Sequence, residues 1–370
     1  MSGVLDTLDA ETRALLDRFG FDPVRFETLA AMIASGELSA GANVVSGVVE
    51  PPAPGDVATL PGPMELGYDE AFEAGVDALR AGRVAAVVLA GGMATRFGGV
   101  VKGVVEALDG HSFLEWKLGE TARLGAAIGV RIPVALMTSF ATDDATHAHV
   151  TACGLPEPVW FSQFVSLRLA RDGTVFRDLA GRVSPYGPGH GDLVEALGAS
   201  GTLAGLRARG VDVVCVSNVD NLGARLDPVV IGSHLLGGAA MSTEVAVKEG
   251  DMGGAPARVC GRLTLLEAPR FPAGFDHDRI SIFNTNSATI DLAVFDHSYD
   301  LTWLYVEKEI EGRTAVQLER LYHELASFVP TRFVHVARRG PRGRFFPIKT
   351  PDDLVQSQDS LREMLAAPLS

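Results

Sequence analysis

The chain has 370 residues, 47% hydrophobic against 21% charged, and 46 acids against 32 basic residues leave a formal net charge of −14. That balance excludes a disordered or fibrous chain, and an acidic protein repels phosphate backbones, so no nucleic-acid partner is expected. The longest apolar run, Val84 to Ala94, contains two glycines and falls short of the roughly 18 residues of a spanning helix, so no membrane partner is expected either.

The opening residues, MSGVLDTLDAETRALLDRF, carry acids and lack the basic start and apolar core of a secretory leader, which predicts a cytoplasmic protein. Residues 9 to 19 and 23 to 36 predict two short amphipathic helices, with Leu15, Leu16 and Phe19, then Phe26, Leu29 and Ile33, at helical spacing. Pro51 to Pro63 holds five prolines and two glycines, which remove backbone donors and helical continuity. It has the character of a linker and divides a small helical N-terminal arm, 1–62, from a main body, 63–370.

The body opens with a helix over about 66–81 and the run VAAVVLA, apolar and β-branched as a strand buried on both faces should be. Next comes the loop LAGGMATRFGGVVKG, Leu89 to Gly103. Its glycines let backbone N–H groups approach phosphate oxygens, and Arg96 and Lys102 add formal charge. Lys102 stands out because the chain has only five lysines, Lys102, Lys117, Lys248, Lys308 and Lys349. The loop matches neither GxxxxGK[ST] nor GxGxxG, which disfavours the P-loop and the dinucleotide fingerprint. A helix at about 112–127, a strand at 134–137, a helix at about 143–153 and a strand near Val159 follow. This alternation predicts a parallel sheet flanked by helices.

YGPGHGD, Tyr186 to Asp192, surrounds His190 with three glycines and a proline; it is a rigid turn able to bring backbone against a flat ligand, or a plain surface turn. A helix over about 192–206 and the strand 211–216 lead to VSNVDN. There Asp220 lies where parallel sheets bind ligands and is a natural Mg²⁺ ligand, or a helix-capping residue. Strands are expected at 241–247, 262–267, 280–284 and 333–336, and helices at 313–328 and 351–366. FNTN, Phe283 to Asn286, and Glu267 offer amides and a carboxylate suited to sugar hydroxyls, or buried asparagines that only tie loops. Lys349, in PIKT, is expected to end a strand just before the last helix, and taken by itself reads as a solvated surface charge. Cys153, Cys215 and Cys260 form no CxxC pair and are expected to be buried thiols.

Ten segments between about Val84 and Leu354 together resemble, in order, the UDP-sugar pyrophosphorylase family, in particular its UTP:glucose-1-phosphate uridylyltransferases. They are LAGGMATRFGG with its lysine, ALMTSFATDD, FSQF, PGHGD, VSNVDNLGA, STEVAVKEGDMGG, LTLLE, FNTN, AVQLE and FFPIKTPDDL. The resemblance implies a Rossmann-like, mixed but mostly parallel sheet flanked by helices, of the nucleotidyltransferase type A-like kind. It also implies an enzyme joining UTP and a sugar 1-phosphate, foremost glucose 1-phosphate, to give a UDP-sugar and pyrophosphate with Mg²⁺ as cofactor.

On the matching positions, Ala90, Gly91 and Gly92 with Arg96 and Lys102 would hold the triphosphate, and Gln163 with Gly189, His190 and Gly191 the uracil. Asp220 would bind Mg²⁺, and Asn218, Glu267, Asn284 and Asn286 would contact sugar or ribose. Lys349 would reach the phosphates from the C-terminal side, while the role of Lys248 stays open. Ala94 in place of a loop glycine, GVVKG without a proline before its lysine, and MTSF for MNSF bear on substrate preference rather than reaction class. So does the short stretch after Lys349, without the β-helix tail of eukaryotic relatives, on assembly. Another nucleotide such as GTP, a phosphorylated cyclitol or modified sugar, and a nucleotide-sensing module without turnover stay open as alternatives.

Overall fold

A computed structural model describes residues 8–94, 99–251, 253–346, 348 and 350–366. Its centre is an eight-stranded sheet built from β1 (Val57–Thr59), β2 (Val84–Leu89), β3 (Val134–Thr138), β4 (Val159–Ser162), β5 (Val213–Asn218), β6 (Met241–Val247), β7 (Ile282–Asp291) and β8 (Thr331–His335). The spatial order is β1-β8-β6-β7-β5-β2-β3-β4. All neighbours are parallel except at β7, which runs antiparallel to both β5 and β6. The fold is therefore the mixed, mostly parallel sheet flanked by helices that the resemblance implies.

All six residues of β2 are buried because helices cover both faces of the sheet. Ala85, Val87 and Leu89 pack with α6 (Leu193–Ala199) and α7 (Thr202–Ala208) through Leu193, Leu197, Leu203 and Leu206. The alternate residues, Ala86 and Val88, face the other side. There α3 (Tyr68–Arg80), α4 (Phe113–Ile128), α8 (Pro228–Gly237) and α9 (Pro351–Ala366) contribute Leu79, Leu114, Leu118, Ile231, Leu361 and Met364. Each large apolar side chain so buried contributes about 1.5–3 kcal/mol, which fixes the sheet and the edge from which the functional loops spring. β2 lies between β5 and β3, so the strand order reverses there, and in such sheets ligands bind beyond the carboxyl ends of the strands.

Several expectations are corrected. The N-terminal helices, α1 (Ala10–Arg18) and α2 (Pro23–Ala34), exist, and Leu16, Phe19, Phe26, Leu29 and Ile33 pack with Val165, Leu167, Val316 and Leu318. The proline-rich stretch is more than a linker: its centre forms β1, at the sheet edge, the place where a chain poor in N–H donors can join a ladder. The helix expected at 313–328 is instead a strand, Arg313–Glu319, paired with Leu304–Ile310, and then a 3-10 turn, Tyr322–Ser327. The two-residue turn between those strands, Glu311 at φ 51° and Gly312 at φ 73°, is the left-handed geometry of a tight hairpin.

The helix expected over 192–206 is broken at Gly201, φ 77°, into α6 and α7. The 262–266 strand belongs to a separate sheet with Val49–Glu50 and Ala255–Val259. Cys153 and Cys260 are exposed and only Cys215 is partly buried, so the expectation of three buried thiols fails. Cys153 caps the C-terminal end of a surface helix, α5 (Asp143–Ala152), and Cys260 sits in the tight turn of a peripheral hairpin, two places without an apolar cover. Among the described residues no helix is long and apolar enough to cross a membrane.

Candidate active site

Four loops leave the carboxyl ends of β2, β3, β4 and β5 side by side, and backbone bonds hold them in register. Ala90 N–H donates to Met137 O (2.8 Å), Gln163 N–H to Thr138 O (3.0 Å) and Val219 N–H to Leu89 O (3.0 Å). Ser139 Oγ donates to Gly91 O (2.8 Å), anchoring the first turn of the glycine loop. Ala90 is itself buried beneath that turn. Beyond it Met93–Ala94 pairs antiparallel with Val100–Val101, so the loop is a small hairpin that delivers Lys102 at the start of a 3-10 turn. Arg96 and Lys349 lie outside the described residues.

The edge opens into two adjoining compartments that share Asn218 and Asp220. The first, about 410 Å³, is lined by Gly91, Gly92, Lys102, Gln163, Gly187, Gly189, His190 and Glu319. Gln163 is 8% exposed, and its amide lies between two glycines. A Cβ on Gly91 would come within 3.2 Å of it and one on Gly187 within 2.0 Å. The absence of side chains there makes room for the amide itself, which lines the compartment and makes no hydrogen bond within the protein among the described residues.

The PGHGD turn is locked from behind. Gly189 adopts φ 96°, Gly191 N–H donates to Arg320 O (2.8 Å), and Arg320 N–H donates to Pro188 O (2.7 Å). Asp192, fully buried, receives Arg320 Nη2 (2.6 Å) and Phe164 N–H (3.0 Å), tying this turn to the residue next to Gln163. Burial pushes the Asp192 carboxyl up to about 6, with Arg320 acting against it. His190 Nδ1 accepts from Tyr322 N–H (3.3 Å), and burial holds its pKa down at about 4. It is a neutral, fixed ring, suited to shaping the wall rather than to carrying a proton at neutral pH.

Lys102 and Asp220 form an ion pair at the junction of the two compartments, with side chains 18% and 25% exposed. The second compartment, about 290 Å³, is lined among others by Phe283, Asn284, Asn286 and Phe346. Its amides are set by a local irregularity in β7. Thr243 faces Ala288 and Val245 faces Asn284, so Glu244 of β6 opposes three residues of β7, Thr285, Asn286 and Ser287, and Asn286 adopts φ 65° there. Asn286 Nδ2 then donates to Asn218 Oδ1 (3.2 Å), and Asn286 N–H to Asn284 Oδ1 (3.1 Å).

Glu267 does not line the compartment. It lies behind Gly254, whose carbonyl takes Asn284 N–H at 2.8 Å, and a Cβ on Gly254 would approach its carboxylate to 2.6 Å. Burial pushes Glu267 up to about 7, Arg270 opposing and Glu324 adding to the shift. Lys248, just past β6, donates to His277 O (2.9 Å) and so serves the loop beside this compartment.

A family model described as UTP--glucose-1-phosphate uridylyltransferase matches residues 56–367, from β1 through the last helix. The chain belongs to this family. Among curated uridylyltransferases it is 31% identical to the Musa acuminata protein over 301 residues, 75% of this chain and 63% of that one. It is 30% identical to the Saccharomyces cerevisiae protein over 302 residues, 75% of this chain and 60% of that one. The chain thus spans less than two thirds of the length of these relatives. Its fold is shared with a mutant UDP-glucose pyrophosphorylase from Leishmania major solved in complex with UDP-glucose, at TM-score 0.73 and 24% identity over 95% of this chain and 80% of that one. It is also shared with the uridine diphosphate N-acetylglucosamine pyrophosphorylase of Trypanosoma brucei, at TM-score 0.76 and 19% identity over 96% and 80%.

Three residues at this edge take no role of their own from sequence, although Glu319 lies in AVQLE, Asn221 in VSNVDN and Lys117 among the five lysines. Glu319 enters the first compartment because Arg313–Glu319 is a strand and not a helix. Asn221 pins the C-terminal segment, donating from Nδ2 to Arg344 O (3.1 Å) while Oδ1 accepts from Phe346 N–H (3.1 Å). Lys117 on α4 is buried beneath Asp220's loop, its Nζ donating to Ala224 O (2.7 Å) and Ser217 Oγ (3.1 Å). A buried lysine at a helical position is indistinguishable in sequence from a surface one, apart from lysine's scarcity in this chain.

Burial, then the charge of Arg344, push Lys117 down to about 7, with Asp220 and Glu244 opposing. Since the unfolded chain keeps this amine protonated up to about 10.5, the penalty is full below pH 7 and is relieved as pH rises from 7 toward 10.5. Unfolding free energy should therefore gain up to about 1.4 kcal/mol per pH unit from this group between pH 7 and 8.5. Denaturant titrations at pH 6.5, 7.5 and 8.5 should show that rise in the wild type and not in Lys117→Met; parallel profiles would place the charge on Lys117 throughout.

Proposed function

We propose that this protein transfers a uridylyl group from UTP to glucose 1-phosphate, giving UDP-glucose and pyrophosphate. The observation that carries the reading is the meeting of Lys102 and Asp220, from two separate strand-end loops, at the junction of the two compartments. One compartment suits a nucleotide and the other a sugar. The relatives named for this reaction, and the Leishmania major protein's complex with UDP-glucose, support the same choice of substrates.

The uracil enters the first compartment and hydrogen-bonds the Gln163 amide, which Gly91 and Gly187 flank, with the Gly189 to Gly191 turn as its wall. The turn at Gly91 and Gly92 turns backbone toward the triphosphate, and Lys102, Arg96 and Lys349 neutralise it. Asn218, Asn284 and Asn286 present donors and acceptors together to the hydroxyls of the sugar or ribose, and Glu267 supports them from behind Gly254. The sugar-phosphate oxygen attacks the α-phosphorus and pyrophosphate departs opposite it. The nucleophile is already an anion, so no general base is needed, and phosphoryl transfer asks the protein for position and charge neutralisation.

Asp220 fits Mg²⁺. One carboxylate oxygen pairs with Lys102, the other makes no hydrogen bond among the described residues, and the group faces the cleft as a hard oxygen donor. Mg²⁺ characteristically takes one or two carboxylates, with phosphates and water completing its shell. When bound there, the metal supplies charge neutralisation on the phosphates. The exposed free thiols Cys153 and Cys260 suit a reducing compartment, and we place the reaction in the cytoplasm.

Pyrophosphate release measured across the four common nucleoside triphosphates and a panel of sugar 1-phosphates tests the assignment. UTP with glucose 1-phosphate should give the highest kcat/KM. A higher value for GTP or for a cyclitol phosphate would overturn the substrate choice, and UTP binding with no turnover on any acceptor would make the chain a sensor. The Gln163 amide makes its own prediction: Gly187→Ala should push only the end of the Gln163 side chain aside. KM for UTP should rise about 10-fold, the value of one lost hydrogen bond, with kcat and thermal stability nearly unchanged. An unchanged KM would remove Gln163 from the nucleotide site.

A further inference from the structure

A second cluster of ligating side chains lies on the α4 and α5 side of the molecule, where no residue lines either compartment of the cleft. α4 begins with a capping box: Glu115 N–H donates to Ser112 Oγ (3.1 Å) and Ser112 N–H to Glu115 Oε2 (2.7 Å). This reciprocal bonding holds the Glu115 carboxylate at the helix start, pointed at the end of α5. His149 sits in the last turn of α5, and Cys153 follows four residues later, on the same face. His149 Nε2 is 3.8 Å from Glu115 Oε2 and 3.7 Å from Cys153 Sγ. One ligand atom from each of the three residues lies within 4.8 Å of the others. On the far side, His111 Nδ1 meets the other Glu115 oxygen at 3.1 Å.

We propose that Glu115, His149 and Cys153 form a binding site for a soft divalent transition-metal ion of the Zn²⁺ class, clamping the start of α4 to the end of α5. Zinc–nitrogen and zinc–sulfur bonds of about 2.0–2.3 Å set the edges of a tetrahedral site at about 3.3–3.8 Å, so the His149–Cys153 contact is already near its edge length and the Glu115 oxygen has to approach His149 by only about 0.5 Å. A thiolate and an imidazole with one carboxylate select zinc and its late-transition neighbours over Mg²⁺, which wants oxygen alone. This site would therefore not compete with the cleft for the same ion.

Three protein ligands leave a fourth position for water, and His111 fixes the Glu115 carboxylate as hydrogen-bonded carboxylate ligands usually are. Binding through Nε2 takes His149 from the Ser112 hydroxyl, now 2.7 Å away, but leaves that hydroxyl capping Glu115 N–H. Cys153 is exposed, so an ion can enter without the helices parting. Metal binding displaces the thiol proton to solvent. A thiol–imidazole nucleophile is the poorer reading of the same residues, since desolvation and the Glu115 charge push the Cys153 thiol up rather than down.

Co²⁺ titration of the full chain reads the site without reference to turnover. The wild type and Cys260→Ser should bind one Co²⁺ each, with a thiolate-to-cobalt charge-transfer band and tetrahedral visible bands. Cys153→Ser should lose the charge-transfer band, and His149→Ala should lose the tetrahedral bands. Competition against a chromogenic chelator should show Zn²⁺ affinity at least about 10-fold weaker in each of these two variants. Far-ultraviolet circular dichroism of the metal-free variants checks that both are folded. A wild type without the charge-transfer band, or a band that persists in Cys153→Ser, would overturn the site.

Discussion

Asp220→Asn should lower kcat on the order of 10²-fold or more, by analogy with the loss of one preorganised group facing developing charge. The substitution preserves size and removes only the charge that would hold the metal. Asp220 is partly exposed and its partner Lys102 is likewise at the cleft surface, so the fold should lose no more than about 1 kcal/mol. The two readouts separate the roles. A rate collapse with near-native stability, deepest at limiting Mg²⁺, is the signature of a metal ligand. An unchanged rate at limiting Mg²⁺, as for a side chain that merely ends a strand, would contradict the assignment.

Lys102→Ala should have an effect of the same size. In a chain of net charge −14, two phosphorylated substrates can be brought together only where cations are concentrated, and among the described residues Lys102 is the lysine that lines the larger compartment. If its ammonium stabilises charge most strongly in the transition state, kcat should fall about 10²-fold, with a smaller change in either KM. Lys349→Ala is expected to behave in the same way. Lys308, exposed on the strand Leu304–Ile310, is the control, and Lys308→Ala should leave turnover intact. Because Lys102 and Asp220 pair directly, the double variant Lys102→Ala/Asp220→Asn should cost less than the product of the two single losses. Strict multiplicativity would place the two residues in separate functions.

Much of this edge is legible in the sequence because the physical demands there are local. A fully covered strand must be an unbroken apolar run, as β2 is, and a loop that brings backbone to a ligand must be rich in glycine. What escaped depends on contacts distant in sequence. Arg313 to Phe328 carries Val316, Leu318, Tyr322 and Leu325, spaced so that a helix or a strand could bury them. The hairpin turn at Glu311 and Gly312 decides between the two, and with it whether Glu319 reaches the cleft. The bulge that turns Asn286 outward exists only as a mismatch between β6 and β7, which neither segment encodes alone. Lys117 and Asn221 act by reaching partners about 100 residues or more away, Ser217 and Ala224 in one case and Arg344 and Phe346 in the other.

The central claim is direct uridylyl transfer between two bound anions, without a nucleophile from the protein. Exchange of labelled pyrophosphate into UTP tests it most directly. With Mg²⁺ present, exchange should be absent when UTP is the only substrate and should appear when UDP-glucose, formed or added, is present to run the reaction backwards. Exchange with UTP and pyrophosphate alone would mean a covalent uridylyl-enzyme and would contradict the account, as would its absence with UDP-glucose present.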